Sequence, residues 1–119
     1  MAAKVAADSA GPAADDVDQK GRFPSEAVDA FRESGLLSAM VPTEFGGRGV
    51  RPSEMAGAVR AVAAHCCSSA LVLAMHSMEI SNLGRHGSTE PLRDLQREVV
   101  RDQLLFANAN SEVGTGGDV

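Results

Sequence analysis

Apolar and polar positions alternate along this chain with a mostly helical rhythm. Ala27, Val28, Phe31 and, further on, Leu36 follow an i, i+3/i+4 rhythm, with Phe31 four positions after Ala27 and three after Val28. That spacing predicts one buried stripe on a helix opened by Pro24-Ser25-Glu26 and stopped at Gly35. Met55, Val59 and Val62 predict a second apolar face, with Ser53 as N-cap and Glu54 in the first turn. Residues 68–80 are apolar nearly all round, the pattern of a central helix buried on several sides. Gly84 and Gly87 punctuate the chain after it. Over residues 90–101, Leu92, Leu95 and Val99 alternate with charge and predict an amphipathic surface helix.

Between these helices the signals are of turns. Residues 36–41 are a short apolar run leading to Pro42, and Gly46-Gly47-Arg48-Gly49 reads as a loop. Residues 1–10 read as a frayed or weakly helical tail interrupted by Gly11-Pro12, with Pro12 in the first turn of a helix through Asp18. Gln19 to Pro24 is a polar connection, and Phe23 is pushed toward an extended conformation by the proline after it. At the far end, residues 104–107 are a short apolar run suited to a strand, followed by polar residues and the glycines Gly114, Gly116 and Gly117.

Composition sharpens this into an all-α expectation. The 119 residues hold no Trp or Tyr and only four Phe. An Ala-, Leu-, Val- and Met-rich interior suits close helix packing better than a sandwich of strands. The net charge of −5, from 16 acidic and 11 basic residues, comes without a Lys/Arg cluster and argues against nucleic acid. No secretory signal and no membrane-length apolar run is visible, so a cytoplasmic, membrane-free protein is expected. Cys66 and Cys67 are neighbours and poorly placed for a relaxed disulfide; their apolar flanks predict buried, reduced thiols.

Few residues suggest chemistry unaided. His76, inside the apolar helix, is either a packed, hydrogen-bonded core histidine or the lining of a ligand cavity. His65 and His86 are expected to be structural or exposed. His65, Cys66 and Cys67 cannot easily converge on one tetrahedral metal ion, so no metal site is expected. Met55, Met75 and Met78 read as core filler, and the charges of residues 93–101 as a solvated face. The terminal glycines allow a backbone to approach a flat ligand, while N–H groups and Ser111 offer hydrogen bonds.

Three ordered stretches carry a family resemblance. ANANSEVGTGGDV, residues 107–119, resembles the segment with which acyl-CoA dehydrogenases open their middle β-domain. GLLSAMVPTEFGGRG resembles that family's early Val-Pro-x-Glu-x-Gly-Gly-x-Gly signature, and CCSSALVLAMHSM its buried central helix, with Arg85-His86-Gly87 at a turn the family often has. The resemblance implies a helical N-terminal domain over residues 1–103, residues 1–11 being the frayed tail. Residues 104–119 would then be the first strand and flavin-contacting loop of a β-domain.

By position, the resemblance puts Ser111 on the pyrimidine edge of FAD and Asn108, Asn110, Gly114 and Gly116 along the flavin wall. Gly117 stands where a serine commonly touches acyl-CoA, and His76 is a candidate for the acyl cavity or substrate mouth. Val113 replaces a common proline, and Asn108 an aromatic or aliphatic residue. The family removes the substrate's α-proton with a carboxylate from a later helical domain while hydride passes to flavin N5. No acid here matches that base: Glu44 and Glu112 fall on other motif positions. The expectation is a fragment of an FAD-dependent acyl-CoA dehydrogenase, inactive alone, whose full-length form is a homo-oligomer with an electron-transfer partner. Two alternatives stay open: a flavin-dependent monooxygenase on the same fold, and a non-catalytic helical interaction module.

Overall fold

Helix begins at the second residue. α1 (Ala2–Val5), a π-helical turn (Ala6–Ala10) and α2 (Gly11–Lys20) follow one another without a break. The first eleven residues are therefore not a frayed tail. Val5, Ala6 and Ala10 are buried in the same core cluster as Phe31, Met55 and Val62, so packing holds the turn that propensity alone would leave loose. Nor does Gly11-Pro12 break the helix. A proline ring collides with the carbonyl four residues back, and the wider π turn ahead of Pro12 relieves that crowding. The structure is a computed structural model and describes residues 1–109, among which there is no strand.

Gly21, in the left-handed region at φ 57°, ends α2. Arg22 then fastens the turn, with Nε 2.6 Å from Asp16 Oδ2 and both terminal nitrogens on the Glu26 carboxylate at 2.9 and 2.7 Å. Those bonds from Arg22 are the first cause holding the Glu26 carboxyl down at about 2. α3 (Ser25–Glu33) buries Ala27, Val28 and Phe31, the stripe read from the sequence. It closes in a Schellman motif: Leu36 N–H reaches Phe31 O at 2.8 Å and Gly35 N–H reaches Arg32 O at 2.9 Å, with Gly35 at φ 69°.

The segment from 36 to 51 is irregular yet buries Leu36, Leu37, Ala39 and Val41. A single 3₁₀ turn (Thr43–Phe45) lets the chain fold back, so that Gly49 N–H bonds Val41 O and Val50 N–H bonds Ala39 O. Gly47 makes this return possible. A Cβ there would lie 2.0 Å from Val41 O, so only glycine fits.

α4 (Pro52–Ala63) starts two residues earlier than expected. Its cap is Arg51, whose N–H is taken by Glu54 Oε2 at 3.0 Å, and Ser53 is inside the helix because Pro52 suits the first turn. α5 (Cys67–His86) contains Gly84, which does not interrupt it, and packs against α4 in the most extensive helix pair of the fold. α6 (Glu90–Asp102) turns Val99 and Gln96 inward and ends at Gln103, φ 49°.

Residues 103–109 leave α6 as neither helix nor paired strand. The short strand expected at 104–107 does not form, since no second extended segment among the described residues offers it a ladder. The extended alternation survives nonetheless. Leu104 and Phe106 pack on a small cluster of Val41, Ile80 and Val99, whereas Leu105 packs on the main core.

Candidate functional site

α5 organises the residues nearest the chain's end. His76 is 1% exposed. Its Nε2 lies 2.7 Å from Leu37 O, and its Nδ1 accepts the backbone N–H of Phe106 at 3.1 Å. A carbonyl can only accept, so Nε2 must carry the hydrogen and Nδ1 must be bare: the imidazole is the neutral Nε2–H tautomer. Burial pushes its pKa below the ordinary value, and the Leu37 carbonyl acts weakly the other way. The Phe106 ring sits at a tilt, its centroid 6.1 Å from that of the imidazole.

One turn further along α5, half-buried Glu79 accepts a hydrogen bond from Asn108 Nδ2. Asn108 Oδ1 is buried and has no hydrogen-bond partner among the described residues. His76 and Glu79 thus hold residues 106 and 108 against the same helix. Of the residues expected along the flavin, Asn108 is the one described. Asn110, Ser111, Gly114 and Gly116, together with Gly117, lie outside the described residues.

A second feature runs along the other side of α5. An apolar groove of about 470 Å³ lies between α4 and α5, bordered by Met55, Ala56 and Val59 on one and Ala74, Met78 and Ser81 on the other. This is the size of cavity that holds small organic ligands. Met78 is 53% exposed and Leu71, seven residues before it and so on the same face, 61%. α5 is therefore not buried on every side; one apolar face is open. Met78 belongs to this open face, not to core filler, whereas Met55 is buried.

Other candidates separate. His65 and His86 are exposed. Cys66 is buried, and as N-cap of α5 its Sγ accepts from Ser69 Oγ at 3.1 Å and Ser69 N at 3.5 Å. Cys67, the first helical residue, points the opposite way and is exposed, so only half of the expected buried pair is buried. No group of three or more His, Cys, Asp or Glu that could hold a metal occurs among the described residues.

Comparison with known proteins places this arrangement. The family profile described as "Acyl-CoA dehydrogenase, N-terminal domain" matches residues 1–105. The chain belongs to the acyl-CoA dehydrogenase family. It is 34% identical, over 91% of its length, to a cyclohexane-1-carbonyl-CoA dehydrogenase of Geobacter metallireducens. It is 31% identical over its whole length to a cyclohex-1-ene-1-carbonyl-CoA dehydrogenase of Syntrophus aciditrophicus. It is 32% identical over 90% of its length to a probable acyl-CoA dehydrogenase of Mycobacterium leprae. These matches span 29%, 29% and 28% of the relatives, so the chain covers under a third of each. No solved structure matches it significantly. No helix among the described residues is long and apolar enough to cross a membrane.

Glu79 was not among the residues singled out from the acyl-CoA dehydrogenase motifs. Its signal was nonetheless present: it is the one acid between residues 67 and 84, in a stretch with no Lys or Arg. A carboxylate so placed needs a polar partner, and the partner comes from beyond α6.

Proposed function

We propose that this chain forms the helical wall of the active site of a flavin-dependent acyl-CoA dehydrogenase. The reaction is α,β-dehydrogenation of an acyl-CoA thioester, and bound FAD supplies the hydride acceptor. The observation that carries this reading is the open apolar groove along α5 in a chain of this family. Met55, Val59, Ala74 and Met78 give it a mainly apolar surface for an acyl chain, with Arg60 and Asn82 among its polar lining.

The described residues suit a flavin on the far side of the same helix. The unpartnered Asn108 acceptor fits an N–H donor, and Phe106 and Asn108 are held firmly enough to present it. Asn110, Ser111, Gly114 and Gly116 are proposed to continue that wall, and Gly117 to lie near the CoA. The base that takes the α-proton is proposed to come from outside these 119 residues, and the chain alone to have no turnover. The cytoplasm is the proposed compartment, and an electron-transfer protein and further copies of the full-length chain are the proposed partners.

The test is to read the coding DNA past the codon for Val119, express any continuous frame and add acyl-CoA anaerobically. Bleaching of the oxidised flavin's visible band is expected. A frame that continues into unrelated sequence, or a flavin reduced by nothing but nicotinamide and then oxidised by oxygen with hydroxylation of the substrate, would overturn the assignment.

A further inference from the structure

The groove between α4 and α5 has two unlike ends. Only Ala64, His65 and Cys66 join the helices, so the pair is a hairpin whose members run antiparallel. Arg60, in the last turn of α4, borders the groove at the end nearest that connection, where Ala74 is the first lining residue of α5. Ser81 and Asn82 border the opposite end, with Pro52 and Met40. Each wall advances eight residues, from Pro52 to Arg60 and from Ala74 to Asn82, which at 1.5 Å per residue is about 12 Å. The floor between the ends is mainly apolar.

The Arg60 end is positive and nothing nearby neutralises it. No acid lines the groove, and the first turn of α5, which the hairpin brings toward the same end, carries none. Arg22, Arg32, Arg51, Arg93, Arg97 and Arg101 each pair with a carboxylate, whereas Arg60 pairs with no described residue. That is notable in a chain where acids outnumber bases by 16 to 11. A guanidinium takes a carboxylate through two parallel N–H bonds, and its aliphatic stem can lie along apolar surface beside it. An alkyl chain ending in a carboxylate would use both the floor and the charge.

The rest of the fold sets the direction in which such a chain would lie. Phe106 packs with Ile80 and Leu83, so the segment leaving α6 comes down at the Asn82 end of α5. On the reading proposed above, the thioester belongs at that end and the far end of the acyl group reaches Arg60. We propose that Arg60 is a specificity-determining residue, which selects acyl thioesters carrying a carboxylate at the end remote from the sulfur. This rests on the groove being the acyl surface. An extended polypeptide covers about 1.1–1.2 Å per backbone bond, so the floor suits an acyl chain of about ten carbons. A plain alkyl chain of that length would set its methyl end against the guanidinium and leave the charge unmet.

The test compares decanoyl-CoA with the mono-CoA thioester of decanedioic acid, each titrated into the chain. Met40, Met55 and Met78 line the groove, so the NMR signals of their methyl groups report its occupancy. Arg60→Gln should weaken the carboxylated thioester roughly three- to five-fold, the effect of one exposed ion pair, and leave decanoyl-CoA unchanged. Arg85→Gln removes the same charge from an exposed residue that does not line the groove, and should alter neither. Arg60 is itself exposed, so its variant should fold, which unshifted methyl signals before titration establish. Equal weakening of both thioesters by Arg60→Gln would put Arg60 on the phosphates of CoA and overturn the proposal. No weakening of either, or the same loss in Arg85→Gln, also overturns it. In each of those cases groove signals moved by decanoyl-CoA leave the acyl reading intact. Signals moved by neither thioester overturn both.

Discussion

Phe106 donates its backbone N–H to Nδ1 of His76 across 3.1 Å, closing a bridge whose other end is Leu37 O at 2.7 Å. One imidazole thereby joins α5, the loop after α3 and the segment after α6. Every atom of it that can hydrogen bond is used.

His76→Leu should therefore cost more than its change in volume suggests. It strands the Leu37 carbonyl and the Phe106 N–H, and an unsatisfied buried group costs about 1–3 kcal/mol. A loss of about 2–3 kcal/mol is expected in urea unfolding. A loss under about 0.5 kcal/mol would mean that water reaches both groups.

Acid should weaken the fold through the same residue. Its folded-state pKa is lowered from the ordinary 6.5, with burial the first cause. Below that value the unfolded chain takes up a proton that the folded chain refuses, so the unfolded state gains as pH falls. The contribution of neutral His76 is complete above pH 6.5 and is lost as pH drops through the lowered folded value. Urea midpoints at neutral and mildly acid pH should differ less for His76→Gln than for the unsubstituted chain. Identical pH dependence in the two proteins would refute this.

Two glycines should respond in opposite directions to alanine. Gly47→Ala drives a Cβ against Val41 O and should cost about 3 kcal/mol or more, since backbone and not a flexible side chain must move. Gly57 is in the exposed middle of α4 with nothing within 4 Å of an added Cβ. Gly57→Ala should stabilise by about 0.5–1 kcal/mol in thermal melts.

Thiol labelling should split the cysteine pair. With the chain folded, a small aromatic disulfide reagent should modify Cys67 quickly and Cys66 only on unfolding, because Cys66 is 6% exposed. Two thiols reacting at one rate under native conditions would place the cap of α5 in error.

The open face of α5 should tolerate polarity. Leu71→Ser and Met78→Ser, at positions more than half exposed, should change stability by less than about 0.5 kcal/mol. The same exchange at Leu73, which is fully buried, should cost several kcal/mol.

Local signals in the sequence were reliable where a helix's own periodicity governs the outcome. Ala27, Val28 and Phe31 face the core as read, and Gly35 stops α3. They misled where distant packing takes over. The first residues are weakly helical by themselves, and only the burial of Val5, Ala6 and Ala10 shows why they form helix. Gly11-Pro12 and Gly84 carry strong breaker signals, yet a π turn absorbs one and α5 runs through the other. Around residues 68–80 hydrophobicity was legible, but not which face stays open, because Leu71 and Leu73 look alike until their neighbours are known. The Glu79–Asn108 pair spans 29 residues and has no local periodicity to betray it.

The early start of the core has a consequence for how this chain is made. Val5, Ala6 and Ala10 leave the ribosome about fifty residues before Met55 and Val62, members of the same cluster. Throughout that interval the opening helix has an unpaired greasy face and too little length to hold itself together. It must wait, loosely coiled or shielded by a chaperone, until α4 emerges. Removing residues 1–10 would leave Phe31, Met55 and Val62, their partners in that cluster, uncovered on one side.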